Sequence, residues 1–195
     1  LGSFYLSSKR DFAVSTDSKY VPKAFNNSDA LKEYAQLHKD KKFVVKSKNQ
    51  GGIEIKNPES LNFTPDDEIF AQEFIENPML FDGHKFDFSV YVVITSVEPF
   101  RLYVFPKNIN IRFCSRPYGD LEDVDSYVPG ETHITALDLP AIRDYFLNGY
   151  TLREAFDVMI KKNGGDADEV WEAIEDCIRT IGIEKERLIS EHVSL

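Results

Sequence analysis

Lys85, Asp87 and Arg112 are the residues whose types and spacing first indicate chemistry. Lys85 and Asp87 are two positions apart at the start of HKFDFSVYVVITS, residues 84–96. Side chains alternate between the two faces of a β-strand, so we expect both charges on one face. The other face predicts a strand packed in a core, because its residues are all apolar: Phe86, Phe88, Val90, Val92 and Ile94.

Arg112 lies in a second alternating pattern, NINIRFC, where Ile109, Ile111 and Phe113 occupy the opposite face. A lysine, an aspartate and an arginine from neighbouring strands could converge on one anionic ligand. The alternative is a cross-strand ion pair at the surface, which stabilises a protein by only ~0.2–1 kcal/mol. The spacing of the residues leaves both interpretations open.

Lys46 ends a β-branched run, and Gly51 and Gly52 follow it in a polar turn. A lysine in this place can bind phosphate as a point charge, and a glycine turn exposes N–H groups that can close over phosphates. The segment matches neither the Walker A pattern nor the dinucleotide fingerprint. Taken alone, the segment is better interpreted as an ordinary β-hairpin in which the glycines adopt the positive φ angles of the turn.

The segment AQEFIENP, residues 71–78, predicts a buried strand that nevertheless carries Gln72 and Glu73 side by side. If this strand ends at a hinge, its backbone N–H and C=O groups could pair with the edge of an adenine. A glutamine facing solvent on an edge strand explains the same residues equally well.

Composition excludes several classes of protein. The chain has 195 residues, 42% of them apolar, with fifteen Phe and nine Tyr, which predicts a globular protein with a real core. A net charge of -10 argues against general nucleic-acid binding. Cys114 and Cys177 have neither metal spacing nor the density of a disulfide scaffold, so a reducing compartment is expected. No apolar run approaches the ~20 residues of a transmembrane helix.

Hydrophobic periodicity and turn residues predict an α+β chain. Antiparallel strands are expected within residues 40–115, with strand-like pieces also in residues 2–15, and helices within residues 138–190. The predicted strands lie at residues 43–45, 53–55, 68–75, 84–96, 100–106 and 108–114. The predicted helices lie at residues 27–42, 139–147, 151–165 and 166–183. The start at Leu1 and the end at SEHVSL lead us to expect a fragment.

The stretch from Gln72 to Phe113 resembles, without gaps, the signature block of the tubulin–tyrosine ligase-like family. The shared features are DG-x-KFD, the apolar strand after it, the P-x-R-x-Y step and the closing Arg-Phe. FVVKSKNQGGIEI, residues 43–55, is similar to the family's lysine-containing strand and glycine-rich loop. The resemblance implies that residues 1–195 form part of an ATP-grasp domain, with the nucleotide-binding part in residues 40–115 and a helical part in residues 138–190.

Family members use ATP and Mg²⁺ to ligate tyrosine, glutamate or glycine to tubulin through an acyl phosphate. The resemblance therefore implies ATP, a free amino acid and the C-terminal tail of tubulin as ligands, and a cytoplasmic location on microtubules or in cilia. It implies that Lys46 holds phosphates under Gly51 and Gly52. The adenine would be lined by Gln72, Glu73, Phe74 and Ile75. Lys85 and Asp87 would contact the nucleotide and the reacting groups, and Arg112 would stabilise the transferred charge.

The chain also departs from the family pattern. Ser89 stands where the family has an arginine that recognises the anionic substrate, Ser47 replaces a proline, and the NQGG turn lacks an arginine. The family's magnesium ligands, an Asp and a later Glu-x-Asn, are expected beyond the C-terminus of this chain. An ATP-dependent ligase that adds glutamate to tubulin or another protein is therefore one hypothesis, and a non-catalytic relative that binds tubulin or acts as a scaffold is the other.

Overall fold

A computed structural model describes residues 8–47, 54–114, 117–118, 144–145 and 147–193. These residues belong to two compact units, one containing residues 1–78 and the other containing residues 79–119 and 130–195. Both units combine antiparallel strands with helices, so the predicted α+β class is confirmed. Along the described residues, no helix has the length and apolar content needed to cross a membrane.

The first unit is built on a four-stranded antiparallel sheet in the order β1-β4-β2-β3. Its strands are β1 (Ala24–Phe25), β2 (Phe43–Ser47), β3 (Glu54–Ile55) and β4 (Ile69–Glu73). The predicted hairpin of β2 and β3 is confirmed, since Val44 pairs with Ile55 and Val45 with Glu54. A short 3₁₀ helix, Pro58–Ser60, precedes β4.

Two helices belong to the same unit, α1 (Lys9–Ser15) and α2 (Ser28–Leu37). Asn27 caps α2 by accepting a hydrogen bond from the backbone of Ala30. The strand-like prediction for residues 2–15 is wrong for residues 9–15, which are helical. The Ser8 side chain caps this helix by accepting from the backbone of Asp11, and Ala13 packs with Phe70 of β4.

The second unit contains a three-stranded antiparallel sheet in the order β5-β6-β7. Its strands are β5 (Leu80–Phe81), β6 (His84–Val97) and β7 (Phe100–Phe113). The prediction of two separate strands at residues 100–106 and 108–114 is wrong. The register shifts between Val90 and Tyr91, where residues 106–108 of β7 have no partner in the register, and pairing with β6 then resumes. A bulge within one strand therefore replaces the predicted break.

Two helices complete the unit, α3 (Leu152–Lys162) and α4 (Ala167–Val193). The predicted capping box is confirmed, because Thr151 accepts from the backbone of Glu154 while the Glu154 carboxylate accepts from the backbone of Thr151. Gly164 ends α3 with φ of 78°, a conformation that favours glycine. The predicted helix at residues 139–147 lies mostly outside the described residues.

The main core of the second unit lies on one face of the β6–β7 ribbon. Phe86, Phe88 and Val90 pack there with buried residues of β7, α3 and α4, namely Ile109, Ile111, Phe113, Phe156, Met159 and Trp171. Beyond the bulge the ribbon leaves this core. Val92 and Ile94 are 38% and 36% exposed, so the prediction that they belong to the core is wrong. Residues of α4 face that end of β7 across a groove of 460 Å³.

Candidate functional site

Asp87 and Arg112 form an ion pair on the face of the β6–β7 ribbon opposite the core. They are register partners, and Arg112 donates from Nε to Oδ1 at 2.7 Å and from Nη2 to Oδ2 at 2.8 Å. The hydrogen bond from the Asp87 carboxylate raises the pKa of Arg112, which stays charged. Both side chains are only about 40% exposed, so the pair is fixed in place yet accessible to a ligand. A guanidinium has five N–H donors, and Asp87 uses two of its nitrogens.

Lys85 lies on the same face, two residues before Asp87. Its side chain is half-buried, and burial lowers its pKa, although electrostatic interactions with Cys114 and Asp87 act in the opposite direction. The Nζ atom lies 6.0 Å from the centre of the Tyr118 ring, a contact that no sequence pattern indicated. A desolvated lysine beside an ion pair is a typical feature of functional sites.

The prediction that Lys85 and Asp87 share a face opposite the phenylalanines agrees with this arrangement. Asp87 pairs with Arg112, whereas Phe86 pairs with Phe113 and Phe88 with Ile111 on the core side. Ser89 continues the charged face and pairs with Asn110, so two small polar residues follow the ion pair along the ribbon.

We predict that replacing Lys85 by methionine flattens the dependence of stability on alkaline pH. Because burial lowers the pKa of Lys85, the folded protein binds this proton less tightly than the unfolded chain does. The charged lysine therefore destabilises the folded state at neutral pH. This penalty shrinks as pH rises through the folded pKa toward the unfolded value of about 10.4. Urea unfolding over a pH series below that value measures the slope.

Lys161→Met, at an exposed lysine of the same unit, is the matched control for this measurement. We expect Lys85→Met to be at least as stable as the wild type at neutral pH and to gain less stability on alkalinisation. A Lys85→Met protein that is less stable at neutral pH and keeps the wild-type slope would contradict the prediction.

In the first unit, Lys46 and Gln72 lie on one face of the sheet. Val44 pairs with Gln72 and Lys46 with Phe70, so the two side chains are diagonal neighbours on β2 and β4. Lys46 Nζ donates to Gln72 Oε1 at 2.6 Å. The structure thus brings together two residues that the family resemblance assigns to different parts of a nucleotide, one to the phosphates and one to the adenine.

Glu73, Phe74 and Ile75 line a cavity of about 600 Å³ at the end of β4. Tyr20, Pro22 and Lys41 also contribute to its wall, and nothing in the sequence indicated Tyr20 or Pro22. The Glu73 carboxylate accepts a hydrogen bond from the Tyr34 hydroxyl at 2.7 Å, and this bond raises the pKa of Tyr34. The volume is in the range typical of small-molecule sites.

Two predicted phosphate-binding residues, Gly51 and Gly52, lie outside the described residues. The described part of the chain also contains no group of three or more His, Cys, Asp or Glu side chains placed to hold a metal ion. Among the described carboxylates, that of Asp87 is engaged by Arg112.

Comparison with known proteins identifies the class of this α+β chain. The model of the tubulin-tyrosine ligase family matches residues 7–193, nearly the whole chain. The chain therefore belongs to the tubulin-tyrosine ligase family, as its resemblance to the family's signature block implied.

Several relatives carry names that describe glutamate ligation. The probable tubulin polyglutamylase ttll-15 of Caenorhabditis elegans is 32% identical over 183 residues, which cover 91% of this chain and 36% of the worm protein. Tubulin polyglutamylase TTLL6 of Mus musculus is 28% identical over 158 residues, covering 76% of this chain and 19% of the mouse protein. The chain thus spans 36% or less of the length of these two relatives.

Proposed function

We propose that this chain is part of an ATP-dependent ligase with an ATP-grasp fold that adds glutamate to the C-terminal tail of tubulin. Membership of the tubulin-tyrosine ligase family supports the ligase class, and the names of the relatives support glutamate and tubulin. The observation that carries the proposal is the charged face formed by Lys85, Asp87 and Arg112. A protein with this activity would be found on cytoplasmic or ciliary microtubules.

The proposed reaction has two steps. A carboxylate oxygen of the acceptor attacks the γ-phosphorus of ATP, so that a new O–P bond forms, the bond to ADP breaks, and an acyl phosphate results. The amine of glutamate then attacks the acyl carbon, forming a C–N bond while phosphate leaves and the nitrogen loses a proton. Positioning and neutralisation of negative charge dominate phosphoryl transfer.

The residues of this chain fit those demands. We assign phosphate binding to Lys46 and adenine contacts to Glu73, Phe74 and Ile75, which share a cavity. Lys85 and the further N–H groups of Arg112 are assigned to the reacting phosphoryl group and the acyl phosphate, with Asp87 holding the arginine. Mg²⁺ bound together with ATP would add positive charge beside the phosphates, and no ligand to it is assigned among the described residues.

The test uses the complete gene product that contains this chain, with tubulin, Mg-ATP and labelled glutamate, glycine or tyrosine in parallel reactions. We expect ATP-dependent incorporation of glutamate alone. Calorimetry with Mg-ATP should show binding to the wild type and at least about tenfold weaker binding to Lys85→Ala. Equal affinity of the two proteins would refute the role of Lys85, and absence of ATP binding would refute the ligase.

A non-catalytic tubulin-binding protein is the second candidate, and Ser89 is the observation that favours it. This serine pairs with Asn110 on the charged face, where the family resemblance leads us to expect an arginine for the anionic substrate. The gene product would then cosediment with microtubules and incorporate no amino acid. Ser89→Arg provides a direct comparison, because it restores the expected charge at this place.

A further inference from the structure

The Gln72 side chain is held between Lys46 and the backbone of Pro22. Its Oε1 accepts from Lys46 Nζ at 2.6 Å, and its Nε2 donates to the Pro22 carbonyl oxygen at 2.9 Å. Gln72 is only 8% exposed, which is unusual for an uncharged amide side chain of this length. A buried amide with a partner at each end has a fixed position.

The chemistry of the two partners determines the orientation of this amide. A backbone carbonyl only accepts hydrogen bonds, so the NH₂ end of Gln72 must face Pro22. A lysine ammonium only donates, so the oxygen end must face Lys46. The two partners therefore determine which end of the Gln72 amide is the oxygen and which is the nitrogen.

We propose that Gln72 is a positioning residue that aims the Lys46 ammonium at the phosphates of the nucleotide. The inference rests on the proposed function, in which Lys46 binds phosphate. Gln72 suits this role because its oxygen is a neutral acceptor. It restricts the long lysine side chain before the ligand arrives and leaves the full positive charge available. A carboxylate at position 72 would hold the lysine equally well but would neutralise it.

The family resemblance instead places Gln72 against the adenine, and the two roles differ in a measurable way. Glu73, Phe74, Ile75 and Pro22 line the 600 Å³ cavity at the end of β4. Gln72 is not among its lining residues, and its amide bonds to Lys46 and to the backbone carbonyl of Pro22. An adenine contact would affect adenosine and ATP alike. A residue that acts through Lys46 would affect only ligands that carry phosphates.

The experiment compares the dissociation constants of ATP and adenosine for the complete gene product and its Gln72→Met variant by calorimetry. Methionine keeps the length of the side chain and removes both hydrogen bonds. We expect ATP to bind about tenfold more weakly or worse, as for loss of a hydrogen bond to a charged group, while the affinity for adenosine changes less than about twofold. Gln36→Met, an exposed glutamine of the same unit, is the control.

Two further variants separate positioning from charge. Lys46→Met should weaken ATP binding, and adding Gln72→Met to it should weaken ATP binding no further, because the two residues act as one unit. Gln72→Glu should keep Lys46 in place yet also weaken ATP binding, because the carboxylate competes with phosphate. This variant decides the question if Gln72→Met fails to fold in a thermal scan.

Three results would overturn the inference. An equal loss of ATP and adenosine affinity in Gln72→Met would assign Gln72 to the adenine. Additive losses in the double variant, or wild-type ATP affinity in Gln72→Glu, would show that Gln72 does not act through Lys46. In all three the wild type still binds ATP, so the proposed function survives. A wild type that binds no ATP would refute both proposals together.

Discussion

Replacing Arg112 by lysine is expected to lower the rate of ATP-dependent ligation by about a hundredfold or more while the protein stays folded. Arg112 makes two parallel hydrogen bonds to Asp87, at 2.7 and 2.8 Å, and the same rigid fork carries further donors. Lysine keeps the positive charge but is a single point donor on a flexible stem. It can pair with Asp87 or with an anionic group of the substrate, and it cannot reproduce the planar geometry that serves both.

The second unit offers a closely matched control for this substitution. Arg153 is also paired with one carboxylate, since its Nε donates to Oδ1 and Oδ2 of Asp157 at 3.0 and 2.9 Å, and both residues lie on α3. Arg153→Lys should leave the rate within about twofold, because it removes an arginine–aspartate ion pair that lies away from the charged face. Equal rates for Arg112→Lys and the wild type, in labelled-glutamate incorporation with tubulin, would contradict a role for Arg112 in the reaction.

The charged face illustrates what could be predicted from the sequence. The two-residue spacing of Lys85 and Asp87 requires a common face in any strand, whatever surrounds it. The pairing of Asp87 with Arg112 could not be deduced in this way, because the register between two strands depends on the turn and on bulges. Residues 106–108 interrupt that register, and their unpaired stretch shifts every partner beyond it.

Other features could not be predicted because they depend on backbone atoms and on the positions of distant elements, which a pattern of side chains does not specify. The anchor of Gln72 is the backbone carbonyl of Pro22, a residue 50 positions earlier in the chain. The exposure of Val92 and Ile94 depends on where α3 and α4 lie. The alternating apolar sequence of a strand is the same whether or not a helix covers its apolar face. The helix α1 has only seven residues, which is too short for a helical periodicity to be visible in its sequence.

Replacing Phe156 by alanine is expected to lower the free energy of unfolding of the second unit by about 3–5 kcal/mol. Phe156 is 1% exposed. The centroid of its ring lies 4.8 Å from that of Phe88, 6.4 Å from that of Phe86 and 6.0 Å from that of Trp171. The variant would lose these contacts and leave a cavity under the β6–β7 ribbon. Since a whole domain is stable by only about 5–15 kcal/mol, much of the stability of the unit would be lost.

Phe156 also supports the strand that carries the charged face. Phe86 and Phe88 alternate with Lys85 and Asp87 along β6, so the side chains that hold the ribbon against Phe156 fix the backbone that presents the charges. Phe105→Ala is the matched control, because Phe105 lies on the same ribbon but is 50% exposed, and we expect it to lose less than about 1 kcal/mol. Urea unfolding of the two variants measures the difference. Equal losses would mean that the Phe156 cluster is not the core on which the charged face depends.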